Sequence, residues 1–134
     1  MTADAPFTIE VQSPYEGFWR YNVALTCGCF DAEGRRTGFA SASSQLAAVG
    51  SNLASPPAGA AERRIELRTE PCARFVCFLY VIPHTLPADN DIAASRTFPL
   101  EVEIRRDGAL LRRERFAINP WSGASVELRG EGDS

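Results

Sequence analysis

Along most of this chain apolar and polar residues alternate one by one, the period of a strand with one face in a core and the other in water. Phe7, Ile9 and Val11 share one face against Thr8, Glu10 and Gln12. Trp19, Tyr21, Val23, Leu25 and Cys27 form a second stripe, and Ile65 with Leu67 a third. Phe98, Leu100, Val102 and Ile104 form a fourth, and Ala124, Val126 and Leu128 a fifth. Helical spacing is almost absent. With the apolar run at 75–82 and the return arm of a hairpin, the pattern predicts strands near 7–12, 19–27, 62–69, 74–82, 98–106, 109–118 and 124–129.

The hairpin is signalled by Asp107-Gly108, a pair suited to a type I′ turn in which both central residues need positive φ. Such a turn sets Ile104 opposite Leu111 and Glu103 opposite Arg112. Leu111 lies out of phase with Phe116 and Ile118, so a β-bulge within 112–115 is expected. Short alternating strands punctuated by Gly and Pro point to an all-β fold. An antiparallel two-sheet β-sandwich of about seven strands is expected, in a Greek-key or C2-like arrangement. A chain of 134 residues suits one domain over 1–134. Residues 30–60 form a long Ala/Ser/Gly-rich insertion, and 130–134 a flexible tail. Within the insertion Leu46, Val49 and Leu53 share a helical face, which predicts one short helix over 43–53 with Ser43 or Ser44 as its N-cap and Pro56-Pro57 as its stop.

Phe75 to Ile82 (FVCFLYVI) breaks the rule of alternation. An antiparallel strand with one wet face should not be apolar on both. Something is expected to cover Val76, Phe78, Tyr80 and Ile82: the 43–53 helix folded across the sheet, or the same face of a second subunit.

Composition narrows the partners. Acidic residues outnumber basic ones, 17 to 14, for a net charge of −3, and every base is arginine. A GC-rich coding sequence produces that bias by itself. The acidic balance argues against nucleic-acid binding, which draws on excess positive charge. The interleaving of Arg63, Arg64, Arg105, Arg106, Arg112, Arg113 and Arg115 with Glu66, Glu101, Glu103 and Glu114 suggests cross-strand pairing on a solvated face instead. No basic-then-apolar leader opens the sequence, and no apolar run approaches the roughly 20 residues of a membrane span. A cytoplasmic location is the expectation. Cys27, Cys29, Cys72 and Cys77 then read as free thiols: Cys27-Gly-Cys29 ends a strand, and although Cys72 and Cys77 are separated by four residues, Cys77 lies in the middle of the apolar run, a poor place for a zinc ligand. In an exported chain, a bridge from Cys27 or Cys29 to Cys72 becomes plausible.

Chemistry concentrates after the apolar run. The segment 83–95 holds the only histidine, His84, with Asp89, Asn90 and Asp91. Asp-Asn-Asp is favourable turn chemistry, and it also presents Asp89 and Asp91 as carboxylate ligands for a hard cation such as Ca²⁺. His84 with a nearby Asp could act as a general base, yet no nucleophile motif accompanies it. Tyr15, Phe18 and Trp121 are of the residue types that form interaction surfaces, while Trp19 and Tyr21 read as core. The expected function is a small non-enzymatic protein-interaction or adaptor module, self-associating or bound to a protein partner, with no cofactor. A C2-like module holding a cation or lipid headgroup through 83–95 is the alternative, and a small hydrolase using His84 the third.

Overall fold

In a computed structural model, describing residues 5–44, 48–51, 53, 64–85 and 97–131, the chain is a sandwich of two four-stranded antiparallel sheets. The strands are β1 (Phe7–Gln12), β2 (Tyr21–Phe30), β3 (Arg36–Ser44), β4 (Arg64–Arg68), β5 (Arg74–Pro83), β6 (Phe98–Arg106), β7 (Ala109–Ile118) and β8 (Ala124–Glu131). One sheet runs β4-β1-β6-β7 and the other β3-β2-β5-β8. Only two neighbouring pairs, β2-β3 and β6-β7, are consecutive in sequence, so the chain passes repeatedly from one sheet to the other.

The alternating stripes become the interior. Phe7, Ile9, Val11, Leu100, Val102 and Ile104 face Val23, Leu25, Cys27, Phe75, Leu79 and Val81 across the sandwich, all with 2% exposure or less. Moving one such side chain out of water contributes about 1.5–3 kcal/mol. Trp19 does not extend the second stripe, because Glu16–Arg20 is a 3-10 turn that delivers the chain into β2.

The strand missed by the alternation is β3, which makes eight strands where about seven were expected. Its inward positions are Gly38, Ala40 and Ala42, opposite Cys29, Cys27 and Leu25. Small residues give a weak periodic signal, and the Ala/Ser run reads as insertion or helix. The 43–53 helix is accordingly corrected: Ser43 and Ser44 are strand, and Ser51 closes a turn on the Ala48 carbonyl. Residues 45–47, 52 and 54–63 lie outside the described residues. Of the segment expected to lie across the sheet, Ser43 and Ser44 belong instead to the strand that extends it sideways.

At the hairpin, Asp107 and Gly108 both take positive φ (52° and 84°), as a type I′ turn requires. The bulge lies nearer the turn than 112–115: the register shifts between Ile104 and Arg105, leaving Leu111 unpaired. Ile104 therefore faces Arg112, and Glu103 faces Arg113. Past the bulge, Arg112 and Glu114 point inward at the edge of the sandwich and pair at 3.4 Å, while Arg112 also donates to the Arg129 carbonyl on β8. Inward charge on an edge strand discourages pairing with other chains. The expected tail at 130–134 starts too early, since β8 continues to Glu131 with Gly130 buried; residues 132–134 lie outside the described residues.

Candidate functional site

The two outer faces of the sandwich are chemically opposite. On β4-β1-β6-β7 the outward side chains are charged and laced together. Arg64 reaches Glu10 at 3.3 Å and Glu66 at 2.9 Å, and Glu103 accepts from Arg105 at 2.9 Å and Arg113 at 2.6 Å. This is the solvated, paired face that the Arg/Glu interleaving predicts.

The outer face of β3-β2-β5-β8 is uncharged over the middle of three adjoining strands, with Arg36 and Arg74 at its Phe30 end. Because Val23, Leu25 and Cys27 point inward, Asn22, Ala24, Thr26 and Gly28 point out. In register beside them stand Ser43, Ser41 and Phe39 on β3, and Ile82, Tyr80, Phe78 and Val76 on β5. Phe39 is 64% exposed, Phe78 43%, Ile82 41% and Tyr80 37%. Charge enters at the edges: Arg129 and Glu127 on β8 pair with each other at 3.0 Å, and the Arg36 guanidinium lies over the Phe39 ring at 4.4 Å. The non-alternating run Phe75–Ile82 is thus buried on one side and presented on the other. β3 supplies the part that sequence reasoning missed; its one signal was the pattern Phe39-Ala-Ser-Ala-Ser43, free of charge.

The other candidate residues gather at one end of the sandwich. Tyr15 stacks on Phe98 (centroids 4.7 Å apart, planes 18° apart), and Phe18 packs edge-on to Phe98 at 6.0 Å and beside Tyr21 at 6.4 Å. Phe18 is buried and Tyr15 half-buried. These rings close the end of the core rather than forming an open platform. Tyr21 donates its hydroxyl to the Pro120 carbonyl at 2.6 Å, which brings the turn carrying Trp121 to the same end. That turn is closed by the Asn119 side chain, which accepts from the Trp121 and Ser122 amides.

His84 belongs to this end too, as a joint. The ring is 1% exposed, and its nitrogens sit 2.7 Å from the Trp19 carbonyl and 2.7 Å from the Thr85 hydroxyl. A carbonyl only accepts, so Nε2 donates to Trp19. In that tautomer Nδ1 accepts from Thr85, whose oxygen accepts from the Leu53 amide at 2.9 Å. The relay links the insertion, β5 and the 3-10 turn, and leaves neither ring nitrogen open to a substrate. Asp89, Asn90 and Asp91 lie outside the described residues. Asp31, between β2 and β3, caps its own turn by accepting from the Glu33 and Arg35 amides and pairs with Arg35 at 3.1 Å.

The four cysteines are buried free thiols in the core. Hydrogen bonding to Cys77 and burial push the Cys27 thiol far up, and burial beside Cys72 pushes Cys29 up to about 12. Among the described residues no group of three Cys, His, Asp or Glu side chains is arranged to hold a metal, and no helix is long and apolar enough to cross a membrane.

No family model matches this chain, and no curated protein matches it. Solved structures do. A domain of unknown function, DUF4425, from Bacteroides vulgatus is similar with a TM-score of 0.54 at 11% identity, covering 98% of each chain. A protein from Parabacteroides distasonis, solved in a calcium-bound form, is similar with a TM-score of 0.52 at 13% identity over 96% of this chain and 93% of its own. At these identities the likeness is one of fold: this chain has the two-sheet sandwich of the DUF4425 structure.

Proposed function

We propose that this chain is a non-enzymatic interaction module that associates through the outer face of β3-β2-β5-β8, and that the partner is a second copy of itself. One observation carries the reading: a sheet face, uncharged at its centre, on which Phe39, Phe78, Tyr80 and Ile82 are all substantially exposed. Each copy carries a net charge of −3, so chance encounters are repelled. Two of these faces meet without that opposition, because their outward positions from Asn22 to Gly28 on β2 and from Val76 to Ile82 on β5 hold no charge to bury. An antiparallel sheet that is apolar on both sides is the pattern of a sheet covered on both sides. A two-fold pairing of the faces, packed as sheets pack in a sandwich, supplies the cover. Sedimentation velocity over a dilution series from about 100 to 1 µM tests it. A dimer that dissociates on dilution is the expected result; a monomer throughout overturns the reading.

A second reading rests on the calcium-bound form of the P. distasonis protein. In this chain Asp89 and Asp91, with Asn90, are the residues of the right type, in the C2-like manner. A cation that binds only the folded state stabilises it by mass action, by about 2.7 kcal/mol at a hundred times its Kd, and so raises the melting temperature. No shift at millimolar Ca²⁺ sinks this reading.

A further inference from the structure

The four thiols are not scattered through the core. Cys27 on β2 stands directly opposite Cys77 on β5, both side chains pointing inward with 0% exposure. The kind of opposition matters. The His84 amide donates to the Arg20 carbonyl at 2.9 Å, and the β2-β5 register runs unbroken from Tyr21↔Pro83 to Phe30↔Arg74. Hydrogen-bonded and non-hydrogen-bonded pairs alternate along an antiparallel ladder. Even-numbered residues of β2 therefore hold the hydrogen-bonded positions, and Tyr21 falls opposite a proline that has no amide to offer. Cys27 and Cys77 form a non-hydrogen-bonded pair, whose α-carbons approach to about 4.5 Å, inside the range that a disulfide spans. In the reduced protein the Cys27 thiol donates to the Gly28 carbonyl and the Cys77 thiol to the Phe78 carbonyl, each at 3.9 Å.

We propose that Cys27 and Cys77 are a disulfide-forming pair, closed while the chain folds and sealed from solvent once it has folded. The oxidant is a small-molecule disulfide of the glutathione class. One cysteine thiolate attacks a sulfur of that disulfide and expels a thiolate. The second cysteine thiolate then attacks the protein sulfur of the mixed disulfide and expels the other. One S–S bond forms and one breaks; the protein loses two protons and two electrons, and the oxidant leaves as two thiols. Thiolate attack requires deprotonation, which the folded core opposes at Cys27 and Cys29. Exchange therefore belongs to the unfolded or opened chain. Cys29 interacts with both Cys72 and Cys27, but in the β2-β5 register it stands opposite Phe75, and only Cys27 has a cysteine directly across from it. The expected partner of Cys27 is thus Cys77, not the Cys72 that spacing alone suggested.

The test is refolding from denaturant in a glutathione redox buffer, followed by acid quench and tandem mass spectrometry of proteolytic peptides. Expected is a peptide crosslinked through Cys27 and Cys77, and a melting temperature about 10 °C above that of the reduced protein, because the bridge constrains a loop of about 50 residues in the unfolded chain. The native reduced protein in the same buffer should stay unreacted. In the Cys29→Ala/Cys72→Ala variant the Cys27–Cys77 bridge is the only intramolecular one available, and it should still form with a native circular dichroism spectrum. Cys27 bridged to Cys29 or Cys72 in the full chain, free thiols at 27 and 77 after oxidative refolding, or a bridged protein that cannot regain the native spectrum would each overturn the proposal.

Discussion

The Tyr21 hydroxyl donates to the Pro120 carbonyl at 2.6 Å across 99 residues of chain, joining the start of β2 to the turn that precedes β8. Its ring meanwhile packs on Phe98 at 5.0 Å. One side chain therefore ties both sheets at the aromatic end. Tyr21→Phe keeps the ring and strands a buried carbonyl, which should cost about 1–2 kcal/mol and lower the melting temperature by a few degrees. An unchanged melting temperature would mean that the bond contributes nothing net.

The same phenol sets an alkaline limit. Burial, with the neighbouring Tyr15 second, pushes Tyr21 well above its ordinary 10.0. The folded chain then keeps its proton where the unfolded chain gives it up, so stability is fully present below pH 10 and falls as pH rises beyond it. On the acid side, hydrogen bonds from Arg113 and then Arg105 hold Glu103 below its usual range, and the Arg35 amide does the same for Asp31. Their contribution is present above pH 4.5 and is lost as pH falls through the lowered values. Both carboxylates are half-buried at the protein surface, within reach of solvent and ions, so that loss should be small and should fade in high salt. Thermal melts across pH check the signs: stability that rises above pH 10 would contradict the first.

Gly123 is the backbone position with least freedom. It has φ of 69°, and a β-carbon there would fall inside the contact radius of the Val81 carbonyl oxygen. Gly123→Ala should cost more than about 2 kcal/mol, since backbone rather than a side chain must move. Gly34 shares the positive φ (85°) but has open space around it, so Gly34→Ala should cost only about 1 kcal/mol. Equal losses at the two sites would refute the steric argument.

His84→Ala removes both ends of the relay between Trp19 and Thr85. A loss of about 2–4 kcal/mol is expected in chemical denaturation, from two buried hydrogen bonds and the space left behind. A variant with unaltered stability that lost a hydrolytic activity would restore the histidine to catalysis.

Much of the fold was legible because most core-facing positions carry large apolar side chains in strict alternation. The ends of β1, β6 and β7 follow directly from Phe7, Val11, Phe98 and Ile118. β3 was illegible for the opposite reason: Gly38, Ala40 and Ala42 fill their places without a hydrophobic signature, because Cys27 and Leu25 beside them already occupy the interior. The bulge was foreseen from the phase change after Leu111, although local pairing placed it closer to the turn. His84 was misleading as a loop residue. Proximity to Pro83 and Thr85 says nothing about a carbonyl 65 residues away at Trp19, and that carbonyl decides where the ring points. The apolar face was visible in FVCFLYVI from the start, whereas Phe39, its most exposed ring, needed β3 to be placed beside β2.

The outer face of β3-β2-β5-β8 is the centre of this account, and the solution mass of one charge-introducing variant tests it most directly. Phe78→Arg places a cation in the middle of the apolar patch, opposite Thr26 and beside a Glu127 that Arg129 already holds. Two copies pressed face to face would bury that charge, and because the site is exposed the fold should survive. Sedimentation equilibrium should then read a dimer for the native chain and a monomer for the variant at equal concentration, with the same circular dichroism spectrum. A native chain that is monomeric, or a variant that remains dimeric, would contradict the claim.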